Sequence, residues 1–144
     1  MVNFQIEIVI NKNIKEVSDF SGNPNNSMDW LSNVLSIQWK TPKPVQLNSK
    51  IAVKSKFVGR EFFHIYEVVF IEENKKIMMK TKDGALPMMT TYHWIEIDEN
   101  TTLFKIDVKG NPVRLYKFLS TCIQLSMKRS YQRGLTRLKE ILEK

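Results

Sequence analysis

The sequence predicts an α+β domain: an antiparallel sheet of about seven strands curved around one long C-terminal helix, with two short helices between the first and second strands. Three observations carry this. The chain opens on a segment of alternating polar and apolar residues, and six further strand-like segments follow from Val34 to Val108 with only turns between them. Residues 114–142 then contain no Gly or Pro except Gly134, and their apolar residues recur at helical spacing. Strands grouped apart from helices indicate an α+β arrangement, and a twisted sheet of this size curls to offer a concave face.

In the first strand Val2, Phe4, Ile6, Ile8 and Ile10 share one face, while Asn3, Gln5 and Glu7 share the other. Asn13–Phe20 and Asn26–Leu31 are short helical candidates, separated by the breakers Ser21, Gly22, Asn23 and Pro24. The next six strands are punctuated at Pro42/Pro44, Gly59, Glu73/Asn74, Asp83/Gly84 and Glu99/Asn100. Connections this short leave no room for the helical crossovers that parallel strands need, so the pairing is antiparallel. A stop at Gly110, Asn111 and Pro112 precedes the long helix. Its apolar stripe reads as two directions: Leu115, Phe118, Leu119 and Cys122 define one, and Gly134, Leu135, Leu138, Ile141 and Leu142 another. With no internal repeat or linker, residues 1–144 read as one domain.

Hydrophobic residues at 42% and charged residues at 26% are globular proportions, which argue against disorder and fibrous architectures. The one cysteine, Cys122, excludes an internal disulfide, and no Cys/His cluster has zinc spacing, so no metal or cofactor is expected. The chain shows neither a signal peptide nor an apolar run long enough for a membrane span, and a cytoplasmic location is the expectation. The net charge of +7 is densest at Arg114, Lys117, Lys128, Arg129, Arg133, Arg137, Lys139 and Lys144. These residues read as the solvated side of a helix, because nucleic-acid binding would call for aromatic stacking platforms that do not accompany them.

The order of features resembles the START-like, or SRPBCC, superfamily. The match runs from the alternating first strand through the asparagine-rich turn around Pro24 to Trp30. It continues through Val58, Gly59 and Arg60, which open a strand carrying Tyr66, Glu67 and Val68, to an ending at Leu138, Lys139, Leu142 and Glu143. Asn48 and Ser49 stand where a glycine often precedes the third strand, and Asn100 and Thr101 where a Gly-Thr is common. Asparagine tolerates positive φ, so these turns are retained. The resemblance implies a helix-grip fold with an internal cavity for a hydrophobic molecule, and no shared catalytic motif.

Cys122, Ser126, Ser130 and Gly134, four apart, form a ridge of small residues on the long helix. Against the sheet they would allow either close packing or empty volume. On the strands, outward Lys54 and Lys56 put Val53, Ser55 and Phe57 inside; outward Lys76, Met78, Lys80 and Lys82 put Ile77, Met79 and Thr81 inside. Outward Lys105 and Asp107 do the same for Phe104, Ile106 and Val108. With Glu67 outward, His64 and Tyr66 point inward as hydrogen-bonding anchors. With Glu96 outward, Met89, Thr91, His93 and Ile95 point inward and Tyr92 and Trp94 outward, an assignment that a bulge would reverse. Trp30 and Trp39 read as lid or as core.

The candidate ligand contacts are therefore Trp30, Phe57, His64, Tyr66, Met79, Met89, Thr91, His93, Phe104, Ile106, Phe118, Cys122, Ser126 and Ser130. The leading expectation is binding, for transport or sensing, of a hydrophobic small molecule or lipid. One alternative is a cyclase, dehydratase or hydrolase in the same cavity, drawing on His64, Tyr66 and His93. The other is a protein- or RNA-interaction module using the basic helix. The histidines have no nucleophile or orienting carboxylate at fixed spacing, so no catalytic residue is assigned.

Overall fold

The computed structural model describes residues 1–81, 86–111 and 118–144. The expected turn at Asp83/Gly84, the stop at Pro112 and the helix start at Arg114 with Leu115 lie outside them. Among the described residues there are seven strands: β1 (Val2–Ile10), β2 (Val34–Trp39), β3 (Lys50–Phe57), β4 (Arg60–Glu72), β5 (Lys76–Thr81), β6 (Met88–Asp98) and β7 (Thr101–Gly110). They form one curved antiparallel sheet in the order β1-β7-β6-β5-β4-β3-β2. Each of β2 to β7 pairs with its neighbour in sequence, as short connections dictate. The long-range closure joins the two ends of the strand series, with Val2 opposite Gly110 and Ile10 opposite Thr102.

Among the described residues, α1 (Ile14–Ser21), α2 (Ser27–Trp30) and α3 (Ser120–Leu142) cover the concave face, with a 3₁₀ turn at Pro24–Asn26 before α2. Asn13 starts α1. Its Oδ1 accepts from the Glu16 amide at 2.9 Å, which satisfies one donor the helix start leaves open, while its Nδ2 donates to Glu16 Oε1 at 3.0 Å. Asn48, in the turn before β3, takes φ 71°, the positive value anticipated for an asparagine there.

Helix α3 is fastened along the free edge of β1. The Asn3 amide donates to Gln124 Oε1 at 3.0 Å, Lys139 Nζ donates to the Val9 carbonyl at 2.8 Å, and the Asn11 amide donates to Glu143 Oε2 at 2.9 Å. Asn3, Val9 and Asn11 have the same parity, and their backbone groups point away from β7, so the helix occupies an edge that would otherwise be open to another strand. The Asn11 amide and the Lys139 ammonium hold the Glu143 carboxyl below its ordinary range.

The buried face of α3 is Ile123, Met127, Ser130, Tyr131, Gly134, Leu135 and Leu138. This corrects the two-directional stripe: Phe118, 80% exposed, and Cys122 both face solvent, and Ser126 is only half buried. At 3.6 residues per turn, a row of residues four apart drifts about 40° around the axis per step. The small-residue row therefore starts on the packed face at Gly134 and Ser130 and has rotated off it by Cys122, where Ile123 and Met127 take over.

Two backbone positions test this packing with opposite signs. A Cβ on Gly134 would stand 2.9 Å from Leu31 Cδ2 and 3.0 Å from the Trp30 carbonyl oxygen. Gly134→Ala gains about 1 kcal/mol of helix propensity but loses about 1–3 kcal/mol to overpacking against backbone, and a lower urea midpoint is expected. Val58, at the β3–β4 turn, holds φ 47° beside Gly59 at φ 72°. Both values suit a primed hairpin turn, but the first strains a β-branched residue. Val58→Asn should raise stability by about 1 kcal/mol in the same measurement.

Candidate functional site

Between the sheet and its helical cover lies a cavity. Val53, Ser55 and Phe57 of β3, Tyr66 of β4, Ile77 and Met79 of β5, and Thr90 and Tyr92 of β6 contribute its sheet side. Val34 and Ile37 of β2, with Val45, extend that wall. Ser21, Gly22, Ser27, Leu31 and Asn33 contribute from the α1–β2 stretch, and Tyr131 from α3. The space between the lining atoms, including the mouth, is about 760 Å³, of which about 70 Å³ is open to the centre of a water molecule. This is narrow, yet well above the roughly 10–15 Å³ that one water needs. Among the described residues that line it, none is charged.

Alternation places the strand residues, and ring packing holds them. Tyr92 meets Phe104 edge-on at 5.4 Å and Trp94 at 6.2 Å, while Trp30 lies 6.0 Å from both Tyr92 and Phe104. Tyr131 packs its ring 6.1 Å from Phe4. Burial pushes the Tyr66 and Tyr92 phenols well above their ordinary range and that of Tyr131 up to about 12, with the neighbouring Thr90 hydroxyl pulling Tyr131 slightly back. Repulsion between the phenolates that would form adds to the effect for Tyr66, facing Tyr131, and for Tyr92, facing both others. All three are therefore neutral hydroxyls at physiological pH. The buried Thr90 Oγ1 makes no well-aligned hydrogen bond among the described residues, and the polar group beside it is the Tyr131 hydroxyl.

Of the residues expected from sequence to contact a ligand, Phe57, Tyr66 and Met79 line this cavity. Trp30, His64, Phe104, Ile106 and Ser130 are buried but do not line it, and Ser126 Oγ accepts from the Val58 amide at 3.3 Å. The facing expected for β6 is reversed: Met88, Thr90, Tyr92 and Trp94 are buried, Met89 and Thr91 lie half buried on the other face, and His93 is exposed. Glu96 misled the assignment. It shares the parity of Tyr92 and Trp94 but sits at the strand end, where the β6–β7 register shifts between Glu96 and Asp98 and the core has run out. Trp94 stacks on Phe104 at 5.5 Å and donates Nε1 to Ser21 Oγ at 2.9 Å, a satisfied position for an amphipathic ring. Tyr131, missed in sequence, was signalled by its spacing of four from Met127 and Leu135.

His64 is buried between Phe62, whose ring stacks at 6.1 Å, and Tyr66, also at 6.1 Å. Neither ring nitrogen has a hydrogen-bond partner among the described residues. Among the described residues, no group of three His, Cys, Asp or Glu side chains is arranged to hold a metal ion, and no helix is long and apolar enough to cross a membrane. A wider depression outside the cavity runs between α1, the β2–β3 connection and the β4–β5 turn; Gly22, Val45 and Ile77 border both spaces. On its rim Trp39 Nε1 donates to Asn25 Oδ1 at 2.9 Å, and Lys43 Nζ stands 5.8 Å from the Trp39 ring centre.

No family model matches the chain, and no curated protein matches it in sequence. Solved structures do match, over nearly the whole length. The protein TTHA0849 from Thermus thermophilus aligns with TM-score 0.82 at 14% identity, covering 97% of this chain and 96% of that one. A START superfamily protein from Mycobacterium smegmatis aligns with TM-score 0.77 at 11% identity, covering 98% and 97%. This chain has the START-like fold. The Zhui aromatase/cyclase from Streptomyces shares it at TM-score 0.79 and 8% identity, covering 98% and 93%. At such identities the likeness is one of backbone: the START-like frame of sheet and long helix is common to all, and the lining is this chain's own.

Burial disfavours the charged form of His64 and lowers its pKa from the ordinary 6.5. The unfolded chain therefore takes up a proton near pH 6.5 that the folded chain refuses, so stability is full above that pH and falls as the pH drops below it. Urea unfolding at neutral pH and about one unit below 6.5 should show this fall. His64→Leu should flatten it and lose little at neutral pH, because it removes buried groups that have no partner.

Proposed function

We propose that the chain binds a small, predominantly apolar molecule in the cavity between sheet and helices, as a carrier or a sensor. The observation that carries this is a partly enclosed space that no charged side chain among the described residues borders, lined by aliphatic and aromatic side chains with a few polar groups. Cores are packed to crystal-like density, so a void of this kind is costly when empty. At the usual cost per unit volume, about 70 Å³ of unfilled cavity is worth on the order of 2 kcal/mol. An occupant recovers that energy through apolar contact with Val34, Ile37, Val45, Ile51, Val53 and Ile77.

The cavity has the composition of a small-molecule site: a mainly aliphatic and aromatic wall with a few polar groups to orient the guest. The START-like frame supports the same reading, because the long helix closes the concave face of the sheet and leaves space at the end roofed by α1 and α2.

Native mass spectrometry of the purified chain, followed by solvent extraction, is the direct test, backed by titration with an environment-sensitive hydrophobic dye. A bound adduct or saturable dye binding is expected. Val53→Phe, which fills part of the cavity while keeping an apolar wall, should weaken dye binding at least about tenfold, the effect of losing roughly 1.4 kcal/mol of contact. Absence of both adduct and saturable binding in the wild-type chain would refute the proposal.

A further inference from the structure

We infer that the cavity's occupant is an uncharged ring compound bearing a carbonyl oxygen, seated with that oxygen accepting from the hydroxyls of Tyr66 and Tyr131. This rests on the binding reading above and adds the chemical class of the guest.

Charge is decided by the lining. Among the described residues, no Lys or Arg borders the cavity, and neither does any carboxylate. A carboxylate or ammonium drawn into this space would give up its hydration with no counter-ion to meet it. The three tyrosines point the same way, since burial above all keeps each of them neutral.

Polarity is decided by the hydroxyls. Tyr66, Tyr92 and Tyr131 border one narrow volume from β4, β6 and α3. A pure hydrocarbon would cover these hydroxyls without offering a partner, and each buried polar group left in that state is costly. Phenols are better donors than acceptors, because the oxygen lone pair is delocalised into the ring. A carbonyl oxygen has two lone pairs and accepts from two such donors at once. Shape follows from the narrowness of the space and its flat faces: Phe57, the three tyrosine rings and the Met79 thioether suit a planar ring better than a branched chain.

Calorimetric titration of the wild-type chain with three probes of one skeleton tests this at neutral pH: acetylnaphthalene, ethylnaphthalene and naphthoate. The ketone should bind about tenfold more tightly than the hydrocarbon and at least about tenfold more tightly than the carboxylate. In Tyr66→Phe and Tyr131→Phe the ketone-to-hydrocarbon ratio should fall toward one. If hydrocarbon and ketone bind equally to the wild type, or naphthoate binds best, the carbonyl assignment is wrong while the cavity reading stands. If none of the three binds, the cavity reading fails and the assignment falls with it. The wild-type ratios decide the matter even where a tyrosine variant does not fold.

Discussion

Because β1 closes onto β7 while β2 ends the opposite edge, residues 11–33 have to cross one end of the curved sheet to connect them. That crossing is the roof. It carries α1, the 3₁₀ turn and α2, and it delivers Trp30 into the core, where the ring contacts Tyr92 and Phe104 and the Cβ-less Gly134 of α3 passes close by. The same closure leaves β1 as an edge strand, and α3 lies along that edge through Gln124, Lys139 and Glu143. Helix and roof together leave unfilled the space between them that faces β3 to β6.

The electrostatics of that space follow from which elements surround it. Charged side chains on the strands belong to the outer face, since alternation puts every second residue into solvent. The helix directs Lys128, Arg129, Arg133 and Arg137 outward. What remains to face the cavity among the described residues is aliphatic, aromatic or hydroxyl-bearing, with the Asn33 amide and the Met79 thioether. Phenols are the polar groups that such a setting tolerates at least cost, because burial merely keeps them protonated, whereas a carboxylate or ammonium would need a partner.

Where each residue's facing is a local matter, the sequence was a good guide. Val53, Ser55 and Phe57, or Phe104, Ile106 and Val108, alternate with charged neighbours that anchor the parity, and they are buried as expected. The errors arose where a local rule was extended past its range. Glu96 is outward because the strand has left the core there, not because of its parity, so it mis-set all of β6, including His93, Thr91 and Met89. Cys122 and Phe118 were assigned by continuing a row of residues along a helix whose rows rotate away from the packed face.

Strand number, antiparallel pairing, the long terminal helix and the inward faces of β3, β5 and β7 were determined by the sequence alone, because side-chain period and turn chemistry are properties of a few adjacent residues. The cavity was decided by the tertiary structure. Tyr66, Tyr92 and Tyr131 lie on three elements far apart in the chain, and no local pattern states that they border one volume. That depends on the register of β4 and β6, on the closure of β1 against β7, and on the angle at which α3 lies along β1. These are set by how the whole set of apolar faces packs at once, and that is the physical reason the frame could be read residue by residue and the site could not.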